Sequence, residues 1–198
     1  MLDWLKYMNK VYPEFWKTYL STFNKKSKRF VILSTETTGE NLYKDVILTI
    51  GAFSVIDDSI HIGDSFETVL MQYKYFHDNK LPFDFIVQSK LKKMGEPDAI
   101  KAFIDYLGNA ILVGHNINFH VEMINAALER LECGHLKNEA LDINIMHQKL
   151  VEITDQDFSL NELLTIYKIP IDETGSSPEV AYKIALLFLK LKSRLGIK

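Results

Sequence analysis

The chain has 198 residues, 47% hydrophobic and 25% charged, which is enough apolar material for one packed domain and too much for a disordered chain. Its formal charge of -3 gives no global cationic field, so any contact with nucleic acid has to come from local patches. The single cysteine, Cys133, excludes an intramolecular disulfide framework and a thiolate metal site, in keeping with a reducing, cytoplasmic location.

The opening M-L-D-W-L-K-Y-M-N-K mixes acidic and basic residues with apolar ones, and reads as neither a signal peptide nor a membrane span. Leu2 to about Phe23 reads as one or two helices. Pro13 suits a first helical turn, and Phe15, Trp16, Tyr19, Leu20 and Phe23 recur every three or four residues. Such an aromatic stripe either packs on the main domain or serves a protein partner or a second copy of the chain. A basic run follows, formed by Lys25, Lys26, Lys28 and Arg29.

Strands are predicted at Phe30 to Leu33, Val46 to Val55 (with Gly51 inside it) and Ile60 to Leu70, separated by polar turns at Gly39 to Lys44 and Asp57 to Ser59. Next come a helix from about Asp98 to Leu107, a short strand at Ile111 to Val113 and a helix from about Phe119 to Leu131. A short strand at Ala140 to Ile143 precedes helices near Met146, at Leu160 to Tyr167 and at Pro178 to Leu195. Lys190, Lys192, Arg194 and Lys198 crowd the C-terminus, where cations suit the negative end of the helix dipole. Three antiparallel-capable strands followed by alternating helices and strands argue for an α/β domain with a mixed sheet.

Three segments carry patterns associated with chemistry. Arg29 to Gly39 reads R-F-V-I-L-S-T-E-T-T-G, a strand running into a turn, with Ser34 and Glu36 two apart and so on one face. Ile111 to Asn125 reads I-L-V-G-H-N-I-N-F-H-V-E-M-I-N. The third, S-L-N-E-L-L-T-I-Y-K-I-P from Ser159, leads to G-S-S-P-E-V-A-Y-K-I-A-L-L-F-L-K-L from Gly175. In this order they resemble the DnaQ-like (DEDDh) 3'-to-5' exonuclease family, which includes the exonuclease domain of the DNA polymerase III epsilon subunit. The resemblance covers Phe30 to about Leu191. It implies a ribonuclease H-like α/β fold over residues 29–198, with a mixed five-stranded sheet flanked by helices, behind an N-terminal helical extension over residues 1–28.

The family patterns are D-x-E-T-T-G, L-V-G-H-N-x-x-F-D and H-x-A-x-x-D-A, whose acids bind catalytic cations and whose last histidine is the general base. This chain retains Glu36. Ser34, His120, Gly175 and Val180 stand at the other four positions, and Ser89-Lys90-Leu91 stands where the family has His-Gly-Ile. The resemblance also marks Thr37, Thr38, His115, Asn116 and Phe119 as the remaining candidates for nucleic-acid contact. Asp142 matches a family aspartate and reads as a structural side-chain cap. Ser176, Pro178 and Glu179 favour a helix start.

Two-metal phosphodiester hydrolysis needs two hard cations about 4 Å apart, held by clustered carboxylates, and a base to deprotonate water. Glu36 alone cannot supply that set. No metal cofactor is therefore expected; Glu36 and His120, with His115, are the groups that could gather one borderline ion such as zinc. The leading expectation is a catalytically inactive homologue that binds single-stranded nucleic acid or a nucleotide, or that assembles with a partner. The alternatives are an active Mg2+- or Mn2+-dependent exonuclease with rearranged ligands, and a protein-interaction module without nucleic-acid binding.

Overall fold

The computed structural model describes residues 12–72, 89–171 and 176–197. The predicted helix over residues 2–11, Gly175 and Lys198 lie outside the described residues. Helix α1 (Glu14–Ser21) starts directly after Pro13 and ends in a 3-10 turn at Thr22–Asn24. Strand β1 (Phe30–Thr37) pairs antiparallel with β2 (Ile47–Ile56), which pairs antiparallel with β3 (Ser59–Met71). The β2–β3 turn holds Asp57 and Asp58 at positive φ, 48° and 60°, the geometry that a two-residue hairpin turn requires of both central residues.

Beyond β3 lie β4 (Lys93–Gly95), α2 (Glu96–Leu107), β5 (Ile111–Gly114), α3 (Ile117–Arg130) and β6 (Ala140–Asp142). The chain continues with α4 (Ile143–Val151), α5 (Leu160–Ile166) and α6 (Ser177–Leu195). Among the described residues the sheet has six strands in the order β4-β3-β2-β1-β5-β6, one more than the five expected. The additional strand, β4, is three residues long and pairs parallel with Val69–Met71. It is too short and too polar to show alternation. Ile143, read as the end of a strand, begins α4, because the Asp142 side chain accepts from the Asn144 amide and caps a helix there.

Helices cover both faces of the sheet, and the alternation of β1 divides the core accordingly. Val31 and Leu33 enter a cluster with residues of α1, α2 and α3, while Phe30 and Ile32 enter one with residues of α4, α5 and α6. Trp16 and Tyr19 belong to the first cluster at 1% and 2% exposure, with Phe15, Leu20 and Phe23 partly buried against it. In α1, then, the aromatic stripe packs within its own chain.

Helix α6 packs along β1 and β2 from one end to the other. At its start, a Cβ on Gly51 would lie within 3 Å of the Ser177 and Pro178 backbone, so glycine is what lets the helix sit against β2. Near its far end, Lys192 Nζ donates to Asp58 at 2.6 Å and lies 5.7 Å from the Phe30 ring centroid. Lys192 is only 6% exposed and serves the fold. Arg29 is likewise engaged, pairing with Asp64 at 3.2 Å and donating to the Tyr106 and Leu107 carbonyls at the end of α2. Of the two cationic runs, Lys25, Lys26, Lys28, Lys190 and Arg194 are the described members exposed at the surface.

Candidate functional site

The predicted site residues gather at the C-terminal end of β1, where β2, the β5–α3 turn and the start of α6 approach it. The ladder sets Glu36 opposite Thr49 and Ser34 opposite Gly51, so these four share the face that α6 covers. Glu36 is half-buried and accepts a hydrogen bond from Thr49 Oγ1 at 3.0 Å. Thr49 Oγ1 also bonds Ser177 Oγ. Its single proton goes to the carboxylate, so Ser177 is the donor in that second bond. Burial raises the Glu36 pKa above its ordinary value, against the opposing pull of Thr49 and the Ser177 amide.

Ser34 is buried at 7% exposure beside Gly51. Val180, half-buried in the first turns of α6, packs against the second core cluster. Glu179 is used in a capping box with Ser176, whose amide donates to its carboxylate at 2.7 Å.

His120 takes a different direction. Its Nδ1 shares a 2.8 Å hydrogen bond with Thr35 Oγ1, and Thr35, as the strand neighbour of Glu36, points to the opposite face of the sheet. Burial holds the His120 pKa down to about 4, against the opposing influence of the His115 backbone and Asp142, so the ring is neutral at pH 7. His115 Nε2 donates to the Phe158 carbonyl at 2.8 Å, tying the β5–α3 turn to the segment before α5. Glu36, His115 and His120 thus have three separate sets of partners, and the zinc arrangement considered from the sequence is not formed. Among the described residues, no group of three or more His, Cys, Asp or Glu side chains is placed to hold a metal ion.

The candidates for nucleic-acid contact are mostly engaged too. Thr37 Oγ1 donates to the Gly39 carbonyl at 2.8 Å; Thr38 Oγ1 donates to Asp45 Oδ1 at 2.8 Å and accepts from the Val46 amide. Asn116 is exposed, with φ of 54°, and begins α3. Phe119 is half-buried against the first core cluster, 5.6 Å from the His120 ring. Asp142 does cap, and does so twice: its carboxylate accepts from the Ile117 amide of α3 at 2.9 Å and from the Asn144 amide of α4 at 2.8 Å. Asn116, Asn118, Phe119, Asn144 and Asp157 line a shallow cavity of about 320 Å³ beside it. Thr35, Thr49 and Ser177 were not among the site residues read from the sequence. Their one visible signal was the Ser177 hydroxyl at the alanine position of H-x-A-x-x-D-A.

A family model described as an exonuclease (RNase_T) matches residues 31–184. The chain belongs to this exonuclease family. Among its relatives, the PolC-type DNA polymerase III of Caldanaerobacter subterraneus subsp. tengcongensis is 26% identical over 181 residues, covering 85% of this chain and 12% of the relative. The DNA polymerase III epsilon subunit of Buchnera aphidicola is 34% identical over 110 residues, covering 52% of this chain and 46% of that subunit. The chain thus spans less than half the length of either. E. coli exonuclease I, in a crystal structure with a dT13 oligonucleotide, superposes with a TM-score of 0.64 at 15% identity, over 86% of this chain and 42% of that one. The DnaQ-like resemblance and the ribonuclease H-like fold are both borne out.

Exonucleases of this family generally use Mg2+ or Mn2+. The donor set described here does not fit two such ions. Hard cations of this kind take oxygen ligands led by carboxylates. At this face Glu36 is the one carboxylate among the aligned positions, and it already accepts the Thr49 hydroxyl.

Proposed function

We propose that this exonuclease-family chain is catalytically inactive and uses the inherited fold to bind single-stranded nucleic acid or to assemble with a partner. The observation that carries the reading is the state of Glu36. It is the sole retained acid of the signature, and it is bonded to the Thr49 hydroxyl, with a serine at Ser34 and a valine at Val180. A joint catalytic unit that has lost several members loses nearly all of its rate, since the parts act together.

The nucleic-acid half draws support from the oligonucleotide bound by exonuclease I, from exposed Asn116 and the polar cavity beside it, and from exposed Lys25, Lys26, Lys28, Lys190 and Arg194. With a net charge of -3, such binding would be short-ranged and steeply salt-dependent. The test is to incubate purified protein with a fluorescent single-stranded DNA or RNA and Mg2+ or Mn2+, and to follow both cleavage and anisotropy. The expected outcome is no shortening of the strand, with binding at low salt that weakens as salt rises. Metal-dependent release of nucleotides, abolished by Glu36→Ala, would instead establish the active alternative. Neither cleavage nor binding at low salt would leave the interaction-module reading in its place.

A further inference from the structure

Ser177 is fully buried, and so is Thr49. A buried hydroxyl is costly unless it is bonded, and a chain of hydroxyl donors has to end on an acceptor. Here the chain runs from Ser177 Oγ to Thr49 Oγ1 and ends on Glu36, an acceptor-only carboxylate. Ser177 stands in the first turn of α6, where the amides have no partner within the helix and where the dipole favours a negative charge. Two features of the sequence make this possible. Serine occupies the position at which the family pattern has alanine, which supplies the first hydroxyl. Gly51 lets the helix backbone come close enough for the bonds to form.

We propose that Glu36 is the anchor of helix α6, and that the Ser177–Thr49 hydroxyl chain fills an acceptor position that a divalent cation would occupy. The retained acid of the signature is then a fold residue, kept by the helix that docks on it. This rests on reading the cleft as a lost metal site, and it adds the role that Glu36 has taken on.

The experiment is thermal unfolding of the full chain at neutral pH, with and without millimolar MgCl2 or MnCl2. It compares wild type, Glu36→Gln, Glu36→Ala, Ser177→Ala and the Glu36→Ala/Ser177→Ala pair. Glu36→Ala and Ser177→Ala each lower the melting temperature by several degrees. The double variant loses clearly less than the sum, because both changes break one hydrogen-bonded chain. Glu36→Gln, which keeps an acceptor oxygen, retains most of the wild-type value, and neither metal raises wild type more than it raises Glu36→Gln. A Mg2+- or Mn2+-dependent rise in wild type that Glu36→Gln lacks would overturn the proposal. So would additive losses, or an unchanged Glu36→Ala.

If Glu36→Ala does not fold, Thr49→Val, Ser177→Ala and their pair replace it. Losses that fall clearly short of additive support the anchor, and additive losses refute it. The nuclease assay is read separately: cleavage by wild type would refute inactivity, whereas the coupling between Glu36 and Ser177 stands or falls on the melts alone.

Discussion

His120 and Glu36 occupy neighbouring parts of one motif set, yet their titrations push stability in opposite directions. His120 is held at about 4, below its ordinary value of 6.5. Above pH 6.5 the ring is neutral in both folded and unfolded chains, and the stability is fully present. As pH falls from 6.5 to 4 the unfolded chain takes up the proton first, and stability is lost, on the order of 3 kcal/mol at about 1.4 kcal/mol per pH unit. Urea unfolding of wild type and His120→Asn near neutral pH and again near pH 4.5 should show the gap closing, or reversing, toward acid. An acid-independent gap would mean that the ring is solvated. Glu36 is raised instead, so its contribution is present below 4.5 and lost as pH rises through the folded value. The same comparison with Glu36→Gln should therefore shift in favour of the glutamine variant as pH rises. Gly51 offers a steric counterpart. A methyl group there meets the backbone of Ser177 and Pro178, which cannot rotate away, so Gly51→Ala should cost at least about 2 kcal/mol by denaturant unfolding.

Among the elements, the end of β6 organises two helix starts at once. Asp142 accepts from Ile117 of α3 and Asn144 of α4, and a lost cap typically costs about 1 kcal/mol. Asp142→Ala should then lose about 2 kcal/mol, whereas Asp142→Asn, which keeps an acceptor oxygen, should lose much less. Calorimetry on the pair distinguishes capping from a purely electrostatic role. Elements with a strong local signal were legible in the sequence. The runs of β-branched residues in β1, β2 and β3, the serine cap and early acid of α6 and the cap that Asp142 places on α4 all follow from neighbours a few positions away. What could not be read came from distant neighbours. β4 is visible only as a partner of β3, and the sheet width was underestimated for that reason. The face toward which His120 turns depends on Thr35, 85 residues earlier, and the Thr49–Ser177 bond spans 128 residues. The aligned identities singled out Glu36 and His120, but not the Thr49 and Thr35 hydroxyls that they bond.

For the whole molecule, the family match begins at residue 31, whereas the packed core includes residues ahead of it. Trp16 is 1% exposed, and Tyr19 bonds Asn138 Oδ1 at 2.6 Å while accepting from the Lys137 amide at 2.8 Å. Burial pushes the Tyr19 phenol up to about 12, so it keeps its proton across the physiological range. Trp16→Ala should destabilise the entire chain by about 3–5 kcal/mol, as removal of a large core aromatic does, and not merely loosen an appendage. Coincident loss of near-ultraviolet and far-ultraviolet dichroism in that variant would demonstrate one cooperative unit, and two separate transitions would refute it.

The bond between Tyr19 and Asn138 also fixes an order in time. Helix α1 is made before Lys137 and Asn138, which receive its tyrosine, by more than a hundred residues. At the usual pace of synthesis that is a wait of several seconds, during which the Tyr19 hydroxyl lacks both of these partners. The beginning of the chain therefore completes its packing after the middle has been made, and a nascent chain halted before residue 137 should leave Trp16 open to quenchers that the finished protein excludes.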